Sequence, residues 1–130
     1  MSDVRRKSAR GARAKRVNGA RHKPAAIALD QVVAKALDDM KAVNVQVIDV
    51  RKLSDVFDTL VVASGTSDRH VRSIAERVVE KAKAAGFRPL GVEGQKTGEW
   101  VLVDLRDVVV HVMLPRVREL YGLEKLWAVS

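Results

Sequence analysis

Asp104 and Asp107, three residues apart, are the acids best placed in this chain to do joint chemistry. Two carboxylates that share a magnesium ion for nucleotide transfer must stand two apart on one strand face, and a spacing of three across a turn does not meet that requirement. Asp49 stands alone. The histidines, His22, His70 and His111, are scattered, so a zinc site would have to be assembled from all three. His70 falls early in a helix and reads as a capping or surface group. No serine pairs with a histidine by sequence, and there is no cysteine. The stretch "SGTS", residues 64–67, resembles a phosphate-cradling turn, because helix N-terminal amides bind anions. It has one glycine and no lysine, so it is neither a P-loop nor a dinucleotide fingerprint. These residues predict no enzyme, no cofactor and no metal.

What remains chemically distinctive lies in "GVEGQKTGEWVLVDLRDVVVHVMLPRVRELYGLEKLW", residues 91–127. It places both tryptophans, the one tyrosine, a histidine and several acids among valines and leucines. The choice among a catalytic site, a docking surface and a sheet core depends on the faces these residues occupy.

Length and charge bound the answer. A chain of 130 residues is one domain, able to bury a core without disulfides or metals. The absence of cysteine fits a reducing cytosol, so the expected location is cytoplasmic. No apolar run approaches the roughly 20 residues that span a bilayer. The net charge of +8 is unevenly spread: residues 1–24 hold nine Lys or Arg against Asp3, and residues 25–130 balance at fifteen against fifteen. The chain therefore divides into a basic arm, 1–24, and a neutral domain, 25–130.

The arm has too few apolar residues to offset the entropy of ordering and is expected to be disordered. Arg5, Arg6, Lys7, Arg10, Arg13, Lys15 and Arg16, spaced every few residues, suit a polyanion such as ribosomal RNA, bound through counterion release. A solubilising tail or an over-extended start fits the same composition. A transit peptide would add an amphipathic apolar face, which is missing.

The domain opens with "AAIALDQVVAKALDDMKA", where Leu29, Val33, Ala36, Leu37 and Met40 recur at the helical period and Asp30, Lys35, Asp38 and Asp39 lie opposite. "VNVQVIDV" alternates as a half-exposed strand. "FDTLVVAS" is a β-branched run of the kind buried on both faces, hence a central strand. A helix follows, with Val71, Ile74, Ala75, Val78, Ala82 and Ala85 on one face, Ser67 as its cap and Gly86 as its stop. "RPLGV" predicts a short strand at an edge, residues 99–105 and 107–113 a hairpin, and Pro115 the start of a last helix. The fold class is α/β of the α+β kind. The order αββαβββα predicts a mixed sheet of about five strands packed with helices.

A tight turn between Asp104 and Asp107 would set Trp100 opposite His111 and Leu102 opposite Val109. Side chains alternate across a sheet. One face then carries Val101, Val103, Val108, Val110 and Val112, suited to helix packing. The other carries Trp100, Leu102, Asp104, Asp107, Val109, His111 and Met113, which is apolar, aromatic and edged by acids. Two readings of that face stand: a protein-docking surface, and a face over which the C-terminal segment folds. Leu105-Arg106 is poor two-residue turn chemistry, so the register stays open.

"DTLVVASGTSDRHVRSIAERV", "GVEG", "EWVLVDLRDVVVHVM" and "RELYGLEKLW" together resemble the ribosomal silencing factor family, the Iojap-like proteins, over residues 27–127. The resemblance implies a nucleotidyltransferase-like fold without nucleotidyltransferase activity. It further implies binding to the large ribosomal subunit through the fourteenth large-subunit ribosomal protein. The site implied is the surface where the small subunit docks, so that translation is repressed by blocking subunit joining. Arg106 departs from the family's usual turn glycine, and the basic arm lies outside the family pattern.

With that partner, Trp100 is expected to be the anchor, surrounded by Leu102, Val109, His111 and Met113. Glu93, Glu99 and Asp104 would complement a basic ribosomal protein at the rim. Tyr121, Leu123 and Trp127 either extend the patch or cover it. A homodimer through the Trp100 face is the expected resting form off the ribosome. The alternative function is a nucleotide-handling enzyme on the same fold.

Overall fold

The computed structural model describes residues 24–127. The basic arm as far as residue 23, with its expected phosphate-binding side chains, lies outside the described residues. The elements in chain order are α1 (Pro24–Asp39), β1 (Val43–Asp49), β2 (Thr59–Ser64), α2 (Asp68–Ala84), β3 (Gly91–Glu93), β4 (Trp100–Asp104), β5 (Val108–Met113), α3 (Pro115–Tyr121) and α4 (Leu123–Leu126). This is the expected order, except that the last helix breaks in two at Gly122, where φ is 56°.

The sheet is five-stranded and mixed, with spatial order β1-β2-β5-β4-β3. β2 and β5 run parallel in its interior and the other pairs are antiparallel. The β-branched run read as a central strand is β2, buried at every position after Thr59. A strand can be apolar on both faces only where both faces are covered. On one face, α1 and α2 set Leu29, Val33, Leu37, Val71, Ile74 and Val78 against Val61, Val101, Val103, Val108, Val110 and Val112. That is the aliphatic face expected to receive helices. On the other, Leu60, Val62, Val109 and Met113 meet Val50 and Val117, with Phe57, Trp100, Leu102, Leu123 and Trp127 around them.

Three expectations are corrected. β1 is exposed at every position except Ile48, because it is an edge strand and α1 and α2 lie over β4 and β5 instead. Its pairing is also irregular between Val43 and Gln46, with Asn44 at φ 51°. Ala85 does not join the buried face of α2. It is exposed, past the end of the helix.

The third correction is the hairpin register. Trp100 pairs with Met113, Leu102 with His111 and Asp104 with Val109. The reason is the turn. Leu105-Arg106 cannot supply the two positive φ values of a tight hairpin, so the chain makes a wider one. Leu105 N donates to Val108 O at 2.9 Å, Asp107 N donates to Leu105 O at 3.1 Å, and only Arg106 takes positive φ, 75°. The Asp104 carboxylate accepts the Arg106 N–H at 3.0 Å. Since the slip is by two residues, every side chain that stays in the two strands keeps its face. Asp107 leaves the face and joins the turn, where its carbonyl accepts the N–H groups of Asp58 and Thr59.

Candidate functional site

The strand alternation brings Trp100 and Leu102 of β4 and Val109, His111 and Met113 of β5 onto one sheet face, as expected. The C-terminal segment then lies across it. Pro115 starts α3, Val117 is its one buried side chain, and α4 buries none. Arg118, 11 % exposed, fastens the segment: Nη1 donates to Ser64 Oγ at 2.9 Å, and Nε and Nη2 donate to Glu124 Oε2 at 3.1 and 2.9 Å. This guanidinium holds the Glu124 carboxyl below the usual carboxylate range. At the far end, Trp127 meets Phe57 edge to face at 5.5 Å.

The cover sorts the expected docking residues by depth. Met113 is fully buried and Val109 and His111 are each 9 % exposed, so these three lie deepest in the face. Trp100, Leu102 and Asp104 are half-buried, and the Asp104 carboxylate is spent on the turn. Glu93, Glu99 and Tyr121 are exposed, and Glu99 pairs with Arg116 at 3.3 Å. Tyr121, 58 % exposed, packs its ring on Trp100 with centroids 4.9 Å apart. Leu120 beside it is 78 % exposed, and nothing in the sequence pattern singles it out. It lies one turn after Val117 and would ordinarily be assigned to the buried stripe of a helix. Only the position of α3 over the sheet leaves it in solvent.

The Trp100 indole N–H donates to His111 Nδ1 at 2.9 Å. Burial pushes the His111 pKa down to about 4, so the imidazole is neutral near pH 7 with its proton on Nε2. The folded pKa lies below the ordinary histidine value of about 6.5. Between pH 6.5 and 4 the unfolded chain therefore binds a proton that the folded one refuses, and stability falls as pH drops through that window. The loss is on the order of 3 kcal/mol. Thermal midpoints at pH 7 and pH 4.5 should drop more for the native protein than for His111→Asn, which has nothing to titrate there. Equal drops would mean that His111 is not held neutral.

The chemistry considered from sequence finds other uses. His70 ties α1 to α2: Thr66 N donates to its Nδ1 at 2.9 Å and its Nε2 donates to Met40 O at 2.8 Å. Ser67 caps α2 by accepting from His70 N at 3.0 Å. In the "SGTS" turn, a Cβ on Gly65 would stand 2.8 Å from the Val71 backbone nitrogen and side chain, so this glycine permits close strand–helix packing. At the opposite end of the sheet Asp30 is raised, by burial first and then by Asp58 and Asp107. Among the described residues no group of three or more His, Asp or Glu is arranged to hold a metal. None of the described helices is long and apolar enough to cross a membrane.

Comparison with known proteins bears on the same segment. The family described as "Ribosomal silencing factor during starvation" matches residues 23–130. A Chromobacterium violaceum protein named ribosomal silencing factor RsfS is 46 % identical over 99 residues, covering 76 % of this chain and 81 % of that one. A protein of the same name from Haemophilus influenzae is 39 % identical over 102 residues, covering 78 % of this chain and all of that one. A crystal structure of a Chromobacterium violaceum protein superposes with a TM-score of 0.77 at 44 % identity, covering 78 % of this chain and 84 % of that one. The chain belongs to the ribosomal silencing factor family.

Proposed function

We propose that this protein is a translational repressor that binds the large ribosomal subunit and sterically blocks joining of the small subunit. The family carries the coarse part, a ribosome-associated silencing role. The finer part rests on one observation: Tyr121, its ring packed at a tilt against the half-buried Trp100, forms an exposed aromatic patch beside Leu120, with Glu99 next to Trp100 in sequence and Glu93 paired with Leu102 across the sheet. An aromatic anchor with acids at its rim suits a basic ribosomal protein, and the fourteenth large-subunit protein is the partner we infer. Silencing by occupancy asks nothing of the protein but a well-fitted surface. A cytoplasmic location and a homodimer that shields this patch off the ribosome belong to the same proposal.

Sedimentation through sucrose gradients with isolated large and small subunits tests it. Co-migration with the large subunit alone, and fewer joined ribosomes when both subunits are supplied, are the expected results. Migration with neither subunit would remove the reading. Magnesium-dependent transfer from a nucleoside triphosphate would replace it with the enzymatic alternative.

The basic arm adds a second, electrostatic attachment in this proposal, to ribosomal RNA near the docked domain. Deleting the arm, residues 1–24, should weaken binding to whole subunits and flatten log K against log salt by about 0.7 to 0.9 for each phosphate that the arm neutralises. Affinity for the isolated ribosomal protein should not change. An unaltered salt slope would make the arm a passive tail.

A further inference from the structure

We propose that His111 is a positioning residue for the docking patch: its Nδ1 accepts the Trp100 indole N–H and holds that ring where Tyr121 packs on it. The inference rests on the docking function proposed above and assigns His111 a role other than partner contact. At 9 % exposure it is nearly enclosed beside Trp100.

Trp100 and His111 are not paired across the hairpin. Met113 stands opposite Trp100, and Leu102 stands opposite His111. The 2.9 Å bond therefore runs diagonally, a span that only long or aromatic side chains cover. A diagonal bond ties the tip of the indole to the neighbouring strand and so limits how the ring can turn. The two rings are 5.8 Å apart and tilted by 49°, and Tyr121 closes on Trp100 at 4.9 Å and 52°. A tryptophan at a half-buried site has a polar tip that needs an acceptor. A neutral imidazole protonated on Nε2 supplies one at Nδ1. Phenylalanine at 111 would fill the space and leave the indole N–H without its partner. The ring would then gain by turning its N–H to water, away from Tyr121.

A double-mutant cycle decides the matter, using the full chain and isolated large subunits at pH 7.5. His111→Phe should weaken binding about tenfold, the effect of one orphaned donor. Trp100→Phe, which breaks the same bond from the other side, should cost at least as much. The two together should cost no more than Trp100→Phe alone. His111→Asn, whose amide oxygen can stand near the Nδ1 position, should restore binding to within about threefold of native. In nitrogen–proton correlation spectra one of the two indole N–H signals should move in His111→Phe and return in His111→Asn. Full binding by His111→Phe would overturn the proposal, and so would an additional tenfold loss in the Trp100→Phe background. An unmoved indole signal would overturn it independently of any ribosome. Absence of binding by the native protein would instead remove the docking function on which it rests, and the indole signal would still report whether His111 holds the ring.

Discussion

Replacing Trp100 by alanine is expected to cost the protein its hold on the large subunit, a loss of about 2 to 4 kcal/mol at a binding hot spot. Some stability should go with it. Trp100 packs against the second core, and its removal leaves a cavity beside Leu102 and Met113. It also leaves His111 Nδ1, a buried acceptor, without its donor. Truncating a large aromatic residue in a core costs about 3 to 5 kcal/mol, and a half-buried one less, so a drop of about 2 kcal/mol in unfolding free energy is expected. The two effects separate by temperature. Binding measured well below the variant's melting midpoint reports the anchor, and denaturant unfolding reports the packing. Native affinity in a well-folded Trp100→Ala variant would place the docking surface elsewhere.

Gly94→Ala is expected to be the most damaging single-methyl change in the domain. Gly94 has φ of 91°, a region that residues with a Cβ rarely occupy. A Cβ there would also collide with the carbonyl oxygen of Trp100, a backbone atom that no side-chain rotation can move aside. The strain and the clash together should cost about 3 kcal/mol or more. Because the displaced atom belongs to the anchor residue, subunit binding should fall as well. Gly91→Ala is the control: nothing lies within 4 Å of the Cβ it would add, and its φ is not positive. Its effect should be within about 1 kcal/mol. Equal melting midpoints for the two variants would show that the loop before β4 is free to rearrange.

Much of this domain was legible in its residue order. The 3.6-residue recurrence of Leu29, Val33 and Leu37, and of Val71, Ile74 and Val78, needs no tertiary information to identify a buried helix face. The alternation of residues 100–113 determined which side chains share a face. That result survived a wrong register, because a slip of two residues leaves a period of two unchanged. The turn itself was not legible. A lone positive φ at Arg106, closed by Asp107 onto Leu105, is a solution that depends on the strands already being held.

Only the tertiary structure decided how deep each residue of the Trp100 face lies. Sequence left the segment after Pro115 free either to extend that face or to cover it, since an amphipathic helix with few apolar positions satisfies both. The choice was made by interactions between distant parts of the chain: Val117 entering the second core, Arg118 reaching Ser64 across 54 residues, and Trp127 meeting Phe57. Those interactions close the second core over Met113 and Val109 and leave Tyr121 and Leu120 in solvent. Local pattern determines which way a side chain points, and burial depends on what arrives from elsewhere to cover it.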